Sequence, residues 1–198
     1  AGIETLTSNL GSMEVVGGRF YYRPLYYSAV PVLQNLALGA SFITDFAYDV
    51  GGKSGERVSE WGVDVEVPLV QSRPWKLQLY TDYANIVNYG QGMAAGISNS
   101  FILPGGFIRT GLRLERRWLG DAFLPAFFGP FYEILRQTTK AELREYYLSA
   151  GGNKEDIPES LHSLSSETLL MKHQLLPMLS RKRRGWFAGL YFDLVHLI

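Results

Sequence analysis

An antiparallel, up-and-down transmembrane β-barrel is the fold class this sequence predicts, with about eight strands visible and one long, partly helical loop. Three observations lead there. Apolar and polar side chains alternate in blocks of roughly ten residues, long for globular strands and suited to tilted strands that cross a bilayer. The four tryptophans fall near strand ends, on the apolar side of that alternation. No segment approaches the run of ~18 apolar residues that a membrane-spanning helix needs.

The alternation is clearest in Glu60-Trp61-Gly62-Val63-Asp64-Val65-Glu66-Val67, where Trp61 and the valines take one face and Glu60, Gly62, Asp64 and Glu66 the other. The first strand is expected near Met13–Arg23, ended by Pro24. The second is Gln34–Phe46, followed by a polar, glycine-rich loop over 49–57. Strand three, Ser59–Val67, is closed by Pro68 and a turn over Gln71–Pro74. Strand four, Trp75–Ala84, sets Trp75, Leu77, Leu79, Thr81 and Tyr83 against Lys76, Gln78, Tyr80 and Asp82. Strand five, Gly92–Phe101, is rich in small residues, and Pro104-Gly105-Gly106 turns the chain into strand six, Phe107–Trp118. There Ile108, Thr110, Leu112 and Leu114 oppose Arg109, Gly111, Arg113 and Glu115. Strand seven is expected over Phe128–Gln137 and strand eight over Gly185–His196. Between them, Thr138–Leu148 has helix formers behind a threonine cap, and Ser165–Leu179 offers a second helix. The chain therefore reads as one barrel domain over 1–198, with 138–184 as a loop insertion.

Composition fits this reading. In 198 residues, 19 Lys+Arg balance 19 Asp+Glu, so no net charge draws the chain toward nucleic acid. Charged residues are 19%, below the usual quarter, and aromatics reach 14%. The mean hydropathy of −0.02 is too low for a helical membrane bundle but compatible with strands that are half polar. With no cysteine, disulfides and thiol chemistry are excluded. Ala1-Gly2-Ile3 has neither the basic nor the apolar region of a secretory leader, and a start other than Met leads us to expect a processed or trimmed chain or a fragment.

Following chain direction through an eight-strand meander predicts Trp61 and Trp118 at one rim and Trp75 and Trp186 at the other, an aromatic belt at both membrane interfaces. A soluble barrel can use tryptophans at strand ends to cap its core instead. The polar faces would bring Asp64, Glu66, Lys76, Asp82, Arg109, Arg113 and Glu115 into one lumen, where charges of both signs either set ion selectivity or pair and fill a small barrel. Arg181, Lys182, Arg183 and Arg184, just before Trp186, form a basic cluster suited to lipid phosphates; a solvated loop end has the same composition. His162 and His173 share the insertion with Ser163, Ser165, Ser166 and Glu167, but no G-x-S-x-G element or metal-ligand spacing accompanies them. No catalytic residue, metal site or cofactor is expected.

Gly17-Gly18-Arg19-Phe20-Tyr21-Tyr22-Arg23-Pro24-Leu25, Val30-Pro31-Val32-Leu33-Gln34-Asn35-Leu36 and Leu103-Pro104-Gly105-Gly106-Phe107 resemble segments of large, uncharacterised outer-membrane β-barrel proteins of spirochaetes. The likeness spans much of the first 135 residues and rests on turn and strand punctuation, so it transfers no functional residue. It implies an outer-membrane location and a longer parent protein. Such barrels commonly end in a strand with a terminal aromatic, whereas this chain ends Val195-His196-Leu197-Ile198.

The function expected is therefore that of an integral outer-membrane barrel with a structural or transport (pore) role in the bacterial envelope. Its partners would be membrane lipid, with lipopolysaccharide or another anionic lipid as candidates, and other envelope chains. The alternative is a soluble or periplasmic barrel holding an apolar ligand, in which Leu77, Leu79, Leu112 and Leu114 would point inward. A minor alternative is an outer-membrane lipid hydrolase.

Overall fold

The computed structural model describes residues 1–7, 14–46, 57–103, 105, 107–128, 137–139, 169–171, 176–177 and 182–194. The protein is built on one antiparallel sheet of eight strands: β1 (Gly2–Thr7), β2 (Val15–Tyr22), β3 (Ala37–Asp45), β4 (Val58–Gln71), β5 (Trp75–Ile86), β6 (Gly90–Ile102), β7 (Ile108–Leu119) and β10 (Arg183–Leu194). Seven strands follow in chain order and β10 adds beside β7. Two short strands, β8 (Gln137–Thr139) and β9 (Leu169–Met171), pair with each other in the connection between β7 and β10. A single-turn helix, α1 (Pro31–Gln34), lies between β2 and β3, with Pro31 in its first turn.

The turns follow local chemistry. Ser72 joins β4 to β5, its backbone N–H donating to the Trp75 carbonyl at 2.9 Å. The β5–β6 turn places Asn88 at φ 67°, a left-handed conformation that asparagine tolerates better than most residues. Gly105, between β6 and β7, takes φ 99°.

Several expectations change. The sheet is open: its order runs from β1 to β10, with no pairing between those two strands among the described residues. The count of eight is met differently, because β1 was not anticipated. Phe128 of the expected seventh strand lies in a turn, residues 129–136 fall outside the described residues, and Gln137 belongs to β8. The region read as a first helix contributes Thr138 and Thr139 to β8, and the region read as a second contributes Leu169, Leu170 and Met171 to β9; most of both regions lies outside the described residues. Pro68 does not end its strand. β4 runs on to Gln71 through a register shift between Pro68 and Val70, a bulge that accommodates a residue with no N–H to donate.

Candidate functional site: a charged face and an aromatic rim

Cross-strand partners share a face, so the registers sort every strand residue. One row runs Leu38–Val65–Thr81–Ala95–Arg116–Trp186 across β3, β4, β5, β6, β7 and β10. The row beside it, on the opposite face, runs Gly39–Asp64–Asp82–Ala94–Arg117–Gly185. All seven lumen candidates (Asp64, Glu66, Lys76, Asp82, Arg109, Arg113 and Glu115) fall on this second, charged face.

Glu115 is the centre of the charged face, with its side chain only 2% exposed. Its Oε2 accepts hydrogen bonds from the Tyr80 hydroxyl at 2.7 Å and from Arg113 Nη2 at 2.6 Å, and Arg117 Nε donates to Oε1. Arg113 Nε also donates to the Tyr80 oxygen at 2.6 Å, while its guanidinium lies 4.8 Å from the Tyr80 ring centre. Charge-assisted bonds of this kind are the strong ones, and here one buried carboxylate is met by two guanidinium groups and a phenol. Gly96 makes room for the arrangement, since a Cβ there would overlap the Tyr80 hydroxyl. Gly111 does the same for the Tyr191 ring. Large rings lying over cross-strand glycines are a recurring device for pinning register in curved sheets.

Asp64 and Asp82 face each other directly across β4 and β5. Arg19 of β2 reaches Asp64 Oδ2 at 2.9 Å and offsets that like-charge juxtaposition. Glu66 lies opposite Tyr80, Lys76 opposite Ser100, and Arg109 opposite Asp193. Lys76 and Arg109 lie at the far end of the sheet from β10's first residue, so the seven candidates share a face without forming one cluster. Arg19, Tyr80 and Arg117 were not singled out from sequence. Parity with Asp82 on β5 and with Glu115 on β7 was the available signal for Tyr80 and Arg117, and no local pattern pointed from Asp64 to Arg19.

The end of the charged face where β7 finishes and β10 begins is covered. Val15, Val58 and Ile86 pack there with Phe123, Phe127 and Leu176 from the connection after β7. Phe127, Ile86 and Leu176 are wholly buried, and the group forms the apolar core among the described residues. Gly92 lies under Phe123, where a Cβ would collide with the ring. Ala126 and Phe128 close over β1–β4, leaving a depression of about 330 Å³ that Glu4, Arg19 and Glu60 also line.

The other face is apolar and uncovered. Leu112 is 48% and Leu114 40% exposed, Leu79 is similar, and Leu77 on the same face is half-buried. All four tryptophans lie on this face. Their distribution differs from expectation. Trp61, Trp118 and Trp186 sit toward the end where the connection after β7 emerges, and Trp75 alone sits at the other, its Nε1 donating to Asn99 Oδ1 at 2.7 Å. The reason is strand order. β10 pairs antiparallel to β7, so the start of β10 lies beside Trp118 instead of a strand away.

Of the basic cluster, Lys182, Arg183 and Arg184 flank a depression of about 420 Å³ together with Trp118, Tyr83 and Met93. Arg181 lies outside the described residues, as do His162, Ser163, Ser165, Ser166, Glu167, His173 and His196. No metal-binding group of three or more ligating residues occurs among the described residues. Comparison with protein-family models, with curated proteins and with solved structures found no match to this chain.

Proposed function

We propose that this chain is a bacterial outer-membrane β-barrel protein whose eight-stranded sheet sits in the bilayer, and that its role in the envelope is structural rather than conducting. One observation carries the membrane reading. Across β1–β7 and β10 the apolar face holds no carboxylate and only two charged residues, Arg116 and Arg184, while the opposite face holds the remaining charges that the registers assign. Uncovered leucine, valine and tryptophan over eight strands suit lipid better than water, where so large an apolar patch invites association.

A sheet in hydrocarbon cannot leave edge N–H and C=O groups unpaired, so β1 and β10 must be closed in the membrane, by each other or by further strands. β1 has 6 residues and β10 has 12, so direct pairing would cover half of the β10 edge. Two features favour a structural role over a pore: the Glu115 network fills the middle of the charged face, and Phe123, Phe127 and Leu176 cover one end of it. That covered end also carries the longest connection, over 120–182, and long loops face outward in such barrels.

Heat-modifiable gel mobility of protein extracted from isolated outer membranes tests this. A faster band before heating, with resistance to carbonate extraction, is expected; a soluble species without a mobility shift overturns the membrane reading. Planar-bilayer recordings then separate the two roles. A closed barrel with no steady conductance supports the structural one, and discrete long-lived channel steps support a pore.

A further inference from the structure

Arg116 and Arg184 are the only charged residues that the registers place on the apolar face of the eight strands, and they are neighbours on paired strands. Arg184 lies directly across from Trp118, and Arg116 directly across from Trp186, so two adjacent rungs of this strand pair each set an arginine opposite a tryptophan. The Arg116 guanidinium is 5.2 Å from the Trp186 ring centre, within cation–π reach. Both rungs lie toward the end of the sheet where β10 begins, and Lys182 adds a third cation beside the 420 Å³ depression that Trp118 and Arg184 line.

Two guanidinium groups on a face with no carboxylate call for an anion from outside the strands. Tryptophan prefers the interfacial depth of a bilayer, where its ring is half in hydrocarbon and half among headgroups. Arginine forks match phosphate oxygens with two parallel N–H donors, and a cation at that depth gains from anionic lipid. We infer that Arg116 and Arg184, framed by Trp118 and Trp186 and extended by Lys182, form a binding site for the phosphate of an anionic membrane lipid at this rim of the sheet. The assignment rests on the membrane reading above and adds a ligand to it. An inner-face role does not suit these two residues, because the network around Glu115 uses Arg113 and Arg117, which point the other way.

Native mass spectrometry of the full chain tests the site, after reconstitution in phosphatidylcholine vesicles with and without phosphatidylglycerol and release into detergent. The wild-type protein should retain phosphatidylglycerol in preference to phosphatidylcholine. Arg116→Gln/Arg184→Gln should lower that retention by about tenfold or more while keeping a heat-modifiable band. Arg109→Gln, on the charged face at the opposite end, should retain lipid as wild type does. Unchanged retention in the double variant overturns the site, as does displacement of the lipid by millimolar inorganic phosphate, which would mark a free-anion site. If the double variant loses its folded band, Arg184→Gln alone, at the exposed start of β10, provides the comparison, and undiminished retention in it counts against the site. Loss of the folded band in the wild type is a separate result, and overturns the membrane reading itself.

Discussion

Arg113 and Arg116 stand three positions apart on β7 and meet opposite surroundings. Arg113 donates to Glu115 and to the Tyr80 oxygen within a closed set of charges, while Arg116 shares its face with Leu114, Trp118 and, across the strand gap, Trp186. One strand thus separates a face whose buried carboxylate is met by partners on the same face from a face of exposed apolar surface that carries two arginines. A charge is tolerated on the first where partners are built in, and on the second only at the rim, where something other than the protein can answer it.

The comparison breaks first if both faces accept a new charge equally. Leu112→Arg, in the exposed apolar row, should prevent insertion into lipid vesicles, a loss of about 2–4 kcal/mol for a mid-bilayer arginine. Ser98→Glu, on the charged face opposite Arg113, should insert nearly as wild type in the same mobility assay. Removing the hub of the charged face comes next. Glu115→Ala leaves Arg113 and Arg117 without their carboxylate and should cost about 1–3 kcal/mol, read as a lower urea midpoint in detergent. Gly96→Ala should cost a similar or smaller amount, about 1–3 kcal/mol, because its Cβ meets both the end of the Tyr80 ring and the Leu114 carbonyl oxygen; in a Tyr80→Ala background only the first of these clashes is gone, a coupling that a double-mutant cycle measures. The smallest effect belongs to Arg19→Ala, about 0.2–1 kcal/mol, since this pair is partly exposed.

Much of the site was legible from sequence because strand parity is a local property. Counting by twos from Trp61 or Leu112 assigns a face to each neighbour, and the assignment of Asp64, Glu66, Asp82, Arg113 and Glu115 to one side agrees with the registers. The same counting could not reach Arg19 as the partner of Asp64, which lies 45 residues away. Nor could it find β1, a short strand whose Glu4 and Leu6 give a weak alternation. Of the expected seventh strand, Phe128 lies in a turn with its ring edge-to-face at 5.0 Å against the buried Phe127, and residues 129–136 lie outside the described residues.

By itself, then, the sequence determined the periodicity, the face each residue occupies within its strand, and the tight turns at Ser72, Asn88 and Gly105, because these depend on residues a few positions apart. Tertiary structure decided that β10 lies beside β7, which carried Trp186 to the same rim as Trp118 and brought Arg184 next to Arg116. It also decided that Phe123, Phe127 and Leu176 fold over one end of the charged face, and that Tyr80 and Tyr191 lie over glycines of other strands. Those arrangements are set by which surfaces fit once distant segments meet. Alternation within a strand carries no information about which strand will be its neighbour.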